Sequence, residues 1–219
     1  MHQRWRVLAS AMAVCALGLQ VALPAAPIIG ALRVILLLDS SSAISPMINP
    51  LRTGLLAFID NLPGSDDDLD LELGIVSTGG QLRVRVPPTT ERARLRAAVA
   101  GFAADGGGNA FVDTLLEADK RFLRNLDQRR PVFVVVMTDN SAFRGEPRVD
   151  EYNAFARDFV RRGGRAHGLV VGLMNAGVHT DILSNLAENT GGYFDSLAVG
   201  NALPDKLKYA AAMVSADVP

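Results

Sequence analysis

Two uninterrupted apolar runs that both end at an aspartate constrain the fold of this chain more than any other feature. Residues 34–38 (VILLL) are followed by Asp39, and residues 132–137 (VFVVVM) are followed by Thr138 and Asp139. Apolar runs without polar alternation are typical of strands buried on both faces of a parallel sheet. The carboxyl ends of such strands line the ligand crevice of an open α/β sheet. We therefore expect two central strands that bring two carboxylates to one edge.

Apolar periodicity along the rest of the chain predicts helices that alternate with strands. We expect helices over residues 47–62, 91–100, 110–125, 150–162, 181–188 and 201–214. We expect further strands over residues 71–77, 82–86 and 165–172, and a short last strand that the turn at 190–194 leads into. The strands on either side of the Thr78-Gly79-Gly80 turn form a hairpin at a sheet edge, which Pro87 and Pro88 close. The alternation predicts a doubly wound α/β fold: a mostly parallel six-stranded sheet with one antiparallel edge strand and helices on both faces.

Composition limits the number of domains and the kinds of partner. The chain has 219 residues, 49% of them hydrophobic, and a formal net charge of −1. This length and apolar content suit one well-buried domain, which we place at residues 32–216. A nearly neutral chain lacks the basic character that electrostatic binding of nucleic acid requires. We therefore expect no nucleic-acid partner.

The N-terminal 26 residues have the plan of an export signal. Residues 1–6 are basic, residues 7–23 are mostly apolar and small, and prolines and alanines follow, which predicts cleavage near Ala25 or Ala26. An uncleaved membrane anchor is the alternative, because the apolar run approaches the roughly 20 residues that span a bilayer. The only cysteine, Cys15, lies in this segment. Either outcome predicts an extracytoplasmic protein, secreted or periplasmic, whose folded part contains no disulfide, as in a bacterial envelope protein.

Three other features have simple structural interpretations. The acidic segment at residues 65–70 lacks the glycine and the distal glutamate of a calcium loop, so we interpret it as a solvated turn. The three glycines before Asn109 have neither the lysine-serine/threonine pair of a P-loop nor dinucleotide-binding spacing, so no nucleotide cofactor is expected. His167 has no nucleophile-elbow partner in the sequence, and we expect it to be structural.

Four landmarks occur in the order that is typical of one protein family. They are the strand that ends in Asp39-Ser40-Ser41-Ser42-Ala43, the Gly-Gly-Gly-Asn109 loop, the strand that ends at Asp139, and the Thr-Gly-Gly-Tyr-Phe turn at residues 190–194. Over residues 32–214 the chain resembles a von Willebrand factor type A (VWA) domain. The resemblance implies a Rossmann-like, non-enzymatic interaction domain. It also implies a metal-ion-dependent adhesion site, in which Mg²⁺ bridges the domain to a carboxylate of a partner protein.

The metal site implied by the resemblance is degenerate in this chain. Asp39, Ser41 and Asp139 match the family pattern, whereas Asn109 stands in place of a threonine and Ala43 in place of the second serine. The resemblance thus implies Asp39, Ser41, Asn109 and Asp139 as candidate Mg²⁺ ligands. Because Mg²⁺ readily keeps water ligands, a water could replace the hydroxyl that Ala43 lacks. Ser42 and Ser45 are alternative sources of that hydroxyl.

The residues leave two states of the site open. Asp39 and Asp139 side by side repel each other unless a cation, a shared proton or backbone N–H groups offset their charges. A metal-free site, in which each carboxylate accepts backbone hydrogen bonds, is the alternative to Mg²⁺.

Three functions remain open for a domain with such a site. The first is a protein-binding domain that engages its partner at the carboxyl edge, with or without Mg²⁺. The second is a structural subunit of an envelope complex with a decayed site, which binds through another surface such as the loop at residues 143–145. The third, a metal-dependent hydrolase, has no histidine or glutamate cluster in the sequence to support it.

Overall fold

The computed structural model of the protein describes residues 31–64, 71–126, 128–139, 148–172 and 177–218. The predicted export segment, the acidic segment at 65–70 and the loop at 143–145 lie outside the described residues. In the part of the chain that is described, every helix is too short or too polar to cross a bilayer.

Six strands form a single sheet in the order β3-β2-β1-β4-β5-β6. The strands are β1 (Leu32–Asp39), β2 (Leu71–Thr78), β3 (Leu82–Thr89), β4 (Arg130–Thr138), β5 (Arg165–Val171) and β6 (Phe194–Leu197). β3 pairs with β2 in antiparallel orientation, and all other neighbouring pairs are parallel. The predicted α/β fold with one antiparallel edge strand is therefore confirmed. The two apolar runs of the sequence form β1 and β4, which lie side by side at the centre.

Six α-helices cover both faces of this sheet. They are α1 (Ile48–Asn61), α2 (Arg92–Ala100), α3 (Phe111–Ala118), α4 (Val149–Arg161), α5 (Val178–Thr190) and α6 (Leu203–Ser215). Helices α1, α2 and α6 share one core with alternate residues of β1 and β4. Helices α3, α4 and α5 share a second core with the residues between them. A strand buried from both sides has no polar face, which explains why its sequence does not alternate.

The structure corrects three of the predicted boundaries. β3 continues through Pro87 and Pro88 to Thr89, because an edge strand tolerates residues that cannot donate to a neighbour. The α-helical part of the predicted 110–125 helix ends at Ala118 and continues as a π-helical turn, Asp119–Leu123. Helix α5 begins at Val178 rather than at residue 181, which places His179 inside its first turn.

His167 has the structural role that the sequence indicates. It is buried in β5, and its Nδ1 accepts a hydrogen bond from the backbone N–H of Tyr193 at 3.1 Å. Burial, together with the nearby positive charge of Arg165, lowers the pKa of His167 to about 4. The ring is therefore neutral at neutral pH, where it ties the start of β6 to β5.

Candidate functional site

The carboxylate of Asp39 is held entirely by hydrogen bonds within the protein. Asp39 is fully buried at the end of β1. Its Oδ1 accepts the backbone N–H of Ser41 at 2.7 Å, and its Oδ2 accepts the backbone N–H and the hydroxyl of Thr138 at 3.1 and 2.7 Å. Three donors stabilise the negative charge of Asp39 without a cation. This arrangement is the one that the sequence offered as the alternative to a metal at Asp39.

Asn109 joins the glycine loop to the neighbouring strand. Its side-chain oxygen accepts the hydroxyl of Thr78 at 2.8 Å, and Thr78 lies opposite Asp39 in the β1–β2 register. The backbone N–H of Ala110 donates to the carbonyl of Gly79 at 2.9 Å. The amide oxygen at the position of the family's threonine therefore already takes part in a buried hydrogen bond.

Ser41 and Asp139 present the oxygens that the protein leaves open. The hydroxyl oxygen of Ser41 and both carboxylate oxygens of Asp139 are buried and have no hydrogen-bond partner among the described residues. Buried polar atoms are almost always paired, so three unpaired oxygens at one sheet edge indicate a missing ligand or water.

Gly172 makes room for the carboxylate of Asp139. The backbone N–H of Asp139 donates to the carbonyl of Val171 at 3.2 Å, which fixes the main chain against the end of β5. A methyl group added at Gly172 would overlap the carboxylate of Asp139. The glycine therefore allows Asp139 to lie where it does, and sequence patterns alone gave no sign of this contact.

His179 is a residue of this site that sequence reasoning missed. It is buried, and its ring meets that of Phe111 edge to face, with 5.7 Å between the centroids. Burial lowers the pKa of His179, and the negative charge of Asp39 partly opposes this effect. The available signal was its place at the start of a helix that follows a parallel strand, since such helices begin at the carboxyl edge.

The four candidate ligands thus lie at one edge of the sheet but differ in what they can offer a metal ion. Mg²⁺ requires about six oxygens in near-octahedral geometry. Ser41 and Asp139 fit this requirement, whereas the oxygens of Asp39 and Asn109 are already hydrogen-bonded. Among the described residues no group of three or more histidine, cysteine, aspartate or glutamate side chains is placed to hold a metal. The residues fit a weak site in which water would supply most of the ligands.

Comparison with known proteins identifies the family. Residues 34–142 match the family model of the von Willebrand factor type A domain. The match covers most of β1 and all of β2, β3 and β4, and it includes Asp39, Ser41, Asn109 and Asp139. The chain therefore carries a von Willebrand factor type A domain. No curated protein matches it.

Solved structures show the same fold at low sequence identity. A von Willebrand factor type A protein from Catenulispora acidiphila has a TM-score of 0.66 and 14% identity, over 85% of this chain and 43% of that one. The VWF domain of the type V pili tip protein Mfa5 from Porphyromonas gingivalis has a TM-score of 0.67 and 9% identity, over 88% and 97%. Proximal thread matrix protein 1 from mussel byssus, with a zinc-occupied adhesion-site motif, has a TM-score of 0.66 and 15% identity, over 85% and 48%. This chain thus spans less than half of the first and third proteins.

Proposed function

We propose that this protein is an exported, non-enzymatic protein-binding domain that engages its partner through the carboxyl edge of the sheet. The observation that carries the proposal is the set of unpaired buried oxygens on Ser41 and Asp139. A partial ligand set of this kind is suited to a weakly bound Mg²⁺ ion that keeps several waters. The zinc-occupied motif of the mussel byssus protein supports the same use of this edge.

Exposed apolar side chains at the same edge also support a partner-binding role. Val149 and Val178 begin α4 and α5, and Val199 follows β6; each is more than half exposed. All three follow the carboxyl ends of adjacent parallel strands, so they flank the edge that holds the candidate site. Contiguous exposed apolar patches rimmed by polar residues mark protein-binding surfaces, and we infer that these valines contribute to such a patch.

The metal-free structural subunit is the second candidate, and the hydrogen bonds of Asp39 favour it. Since Asp39 is satisfied without a cation, the edge keeps its shape when no metal is bound. The two candidates differ in whether Mg²⁺ binds at Ser41 and Asp139, and this can be measured directly.

A calorimetric titration separates these two candidates. We expect the full chain in non-ionic detergent to bind Mg²⁺ or Mn²⁺ weakly, on the order of millimolar, because few protein oxygens are available. Ser41→Ala and Asp139→Ala each remove an open oxygen and should abolish the heat. Gly172→Ala keeps the carboxylate but displaces it, so it should also weaken binding. Ser184→Ala is the matched control, since the hydroxyl of Ser184 lies within α5 and donates to Glu188. If Asp139→Ala still binds the metal, this site is excluded. If the unmodified chain gives no binding heat, the structural subunit is favoured.

Photo-crosslinking in the native host tests the proposed binding edge. We expect a photoreactive amino acid at position 149 to form adducts with a partner protein, because this position begins α4 beside the candidate site. The same amino acid at position 160 is the control. Val160 is also exposed on α4 but lies about 16 Å along the helix axis, towards the opposite edge. Adducts from position 160 alone, or equally from both positions, would contradict the proposal.

A further inference from the structure

A basic pocket lies at the amino edge of the sheet, opposite the candidate partner-binding edge. It has a volume of about 280 Å³ and lies between the π-helical turn, the start of β4 and the end of α4. Four arginines line it, and no described acidic residue does; the arginines are Arg124, Arg129, Arg130 and Arg162. Its apolar lining includes Leu123 and Pro131. The pocket therefore combines guanidinium groups with a small apolar surface.

The ion pairs around this pocket leave an excess of positive charge. Seven arginines pair with only four carboxylates, and each carboxylate is shared by two arginines: Glu72 by Arg33 and Arg129, Asp119 by Arg124 and Arg162, Asp158 by Arg161 and Arg162, and Asp217 by Arg130 and Arg165. Within this set of ion pairs the arginines outnumber the carboxylates by three. Asp127 and the acidic segment at 65–70 lie outside them. An anion placed in the pocket would offset this local excess.

Two of the lining arginines have donors to spare. Arg162 uses all three of its side-chain nitrogens, since it donates to Asp119, to Asp158 and to the carbonyl of Leu123. Arg124, by contrast, approaches Asp119 only at 3.4 Å, and about half of its side chain is exposed. Arg130 donates one long hydrogen bond to the backbone carbonyl of Asp217 at 3.5 Å and approaches the carboxylate of Asp217 only at 3.7 Å, with about a third of its side chain exposed. Contacts of this length leave most of the five N–H donors of a guanidinium available.

We propose that this pocket binds the phosphate group of a phosphate-bearing ligand. Arg124 and Arg130 donate to the phosphate oxygens, and the carbon skeleton of the ligand lies against Leu123 and Pro131. A guanidinium matches phosphate through two parallel hydrogen bonds, and phosphate has more acceptor oxygens than a single carboxylate. This inference uses the edge opposite the proposed partner site, so it goes beyond the proposed function.

The position of the N-terminal segment suggests two sources of such a phosphate. The backbone N–H of Arg130 donates to the carbonyl of Ala31 at 2.9 Å, so the chain enters the sheet beside the pocket. Residues 27–30 alone separate Ala31 from the predicted export segment, so Ala31 lies at most about 18 Å from the last residue of that segment in an extended chain. If that segment stays in the membrane, the pocket meets phospholipid headgroups. If it is cleaved, the ligand is a soluble phosphate ester.

A titration of the full chain in non-ionic detergent tests this site with three probes: inorganic phosphate, dihexanoyl phosphatidylglycerol and dihexanoyl phosphatidylcholine. We expect the unmodified chain to bind phosphate or the anionic lipid. Arg124→Gln combined with Arg130→Gln should weaken that binding at least about tenfold, from the loss of charge-assisted hydrogen bonds. Arg96→Gln is the control, because Arg96 pairs with the exposed Asp60 on helices away from the pocket. The double variant should fold, since Asp119 and Asp217 each retain a second arginine.

Each result has a defined meaning. Phosphatidylglycerol that binds at least tenfold more tightly than inorganic phosphate supports the site with a lipid headgroup as its ligand. Inorganic phosphate that binds within tenfold of phosphatidylglycerol, or more tightly than it, supports the site with a soluble ligand. The proposal is overturned if neither inorganic phosphate nor phosphatidylglycerol binds. It is also overturned if the double variant binds as tightly as the unmodified chain, or if phosphatidylcholine binds as well as phosphatidylglycerol. None of these results depends on Mg²⁺ at Ser41 and Asp139, so failure here is distinct from failure of the proposed function.

Discussion

Asp39→Ala is expected to lower the free energy of unfolding by about 3–5 kcal/mol, with or without Mg²⁺. The substitution leaves three buried donors without an acceptor: the backbone N–H of Ser41 and the backbone N–H and hydroxyl of Thr138. Each unsatisfied buried donor costs about 1–3 kcal/mol, and relief of repulsion from Asp139 offsets part of the sum. Asp39→Asn keeps one acceptor oxygen, so its stability should lie between that of Asp39→Ala and that of the unmodified chain.

Urea denaturation of the full chain in non-ionic detergent measures this effect, with Ser42→Ala as a neighbouring exposed control. Running each variant with and without millimolar Mg²⁺ separates the two roles of the carboxylate. A loss of stability that is equal in both conditions means that Asp39 acts through the fold. If Asp39→Ala is neutral without Mg²⁺ and destabilising only with it, the hydrogen bonds of Asp39 contribute little and the metal is its true partner.

Gly192→Ala is the second large effect, with an expected loss of about 3 kcal/mol or more. A methyl group at this position would overlap the backbone carbonyl of Ala166, which has no freedom to move because it belongs to β5. Overpacking against a flexible side chain is relieved by a new rotamer, whereas overpacking against a strand requires the backbone to shift. The structure therefore explains the second glycine of the Thr-Gly-Gly-Tyr-Phe landmark as a site of close backbone approach.

Gly80→Ala is the matched control for this substitution. An added methyl group at Gly80 meets no atom within 4 Å, so its effect on unfolding by urea should be small. Gly191 differs again, because its φ of 66° favours glycine and Gly191→Ala should cost about 1 kcal/mol through backbone strain. An order of effect other than Gly192, then Gly191, then Gly80 would show that the turn rearranges more easily than the packing implies.

The consequences of Gly192→Ala should extend to the candidate site. Gly168 donates its N–H to the carbonyl of Tyr193, and Gly172 donates to the carbonyl of Leu197, so β6 helps to fix β5 in place. Gly172 at the end of β5 is the residue against which the carboxylate of Asp139 lies. A shift of β5 would therefore displace an oxygen that we propose for Mg²⁺.

The two aspartates of the carboxyl edge differ in role: Asp39 is hydrogen-bonded within the fold, whereas Asp139 keeps its carboxylate oxygens open. Asp39 is a structural acceptor that joins β1 to β4, and its contacts with Thr138 span 99 residues of sequence. Asp139 keeps both oxygens open beside Ser41. In the function that we propose, a partner or a metal ion would bind at Asp139 while Asp39 maintains the edge. The family motif alone treats the two residues as equivalent ligands.

Much of this protein follows from its sequence because the signals are local. The apolar runs at 34–38 and 132–137 determined the two central strands, since only a strand covered on both sides can lack polar residues on either face. Apolar periodicity predicted the helices. The predicted boundaries were wrong at some helix ends, where a single residue decides the boundary. The four landmarks also determined the family and the edge at which the candidate ligands meet.

Only the tertiary structure decided which of those ligands are open. Whether an oxygen is free depends on donors that are distant in the chain: Thr138 satisfies Asp39, and Thr78 engages Asn109. The contact of Asp139 with Gly172, the place of His179 near Asp39, and the gathering of arginines at the amino edge likewise join residues from separate strands and helices. Sequence patterns report the burial and period of each segment. The pairing of polar atoms is set by how the segments pack, and that packing determines what this site can bind.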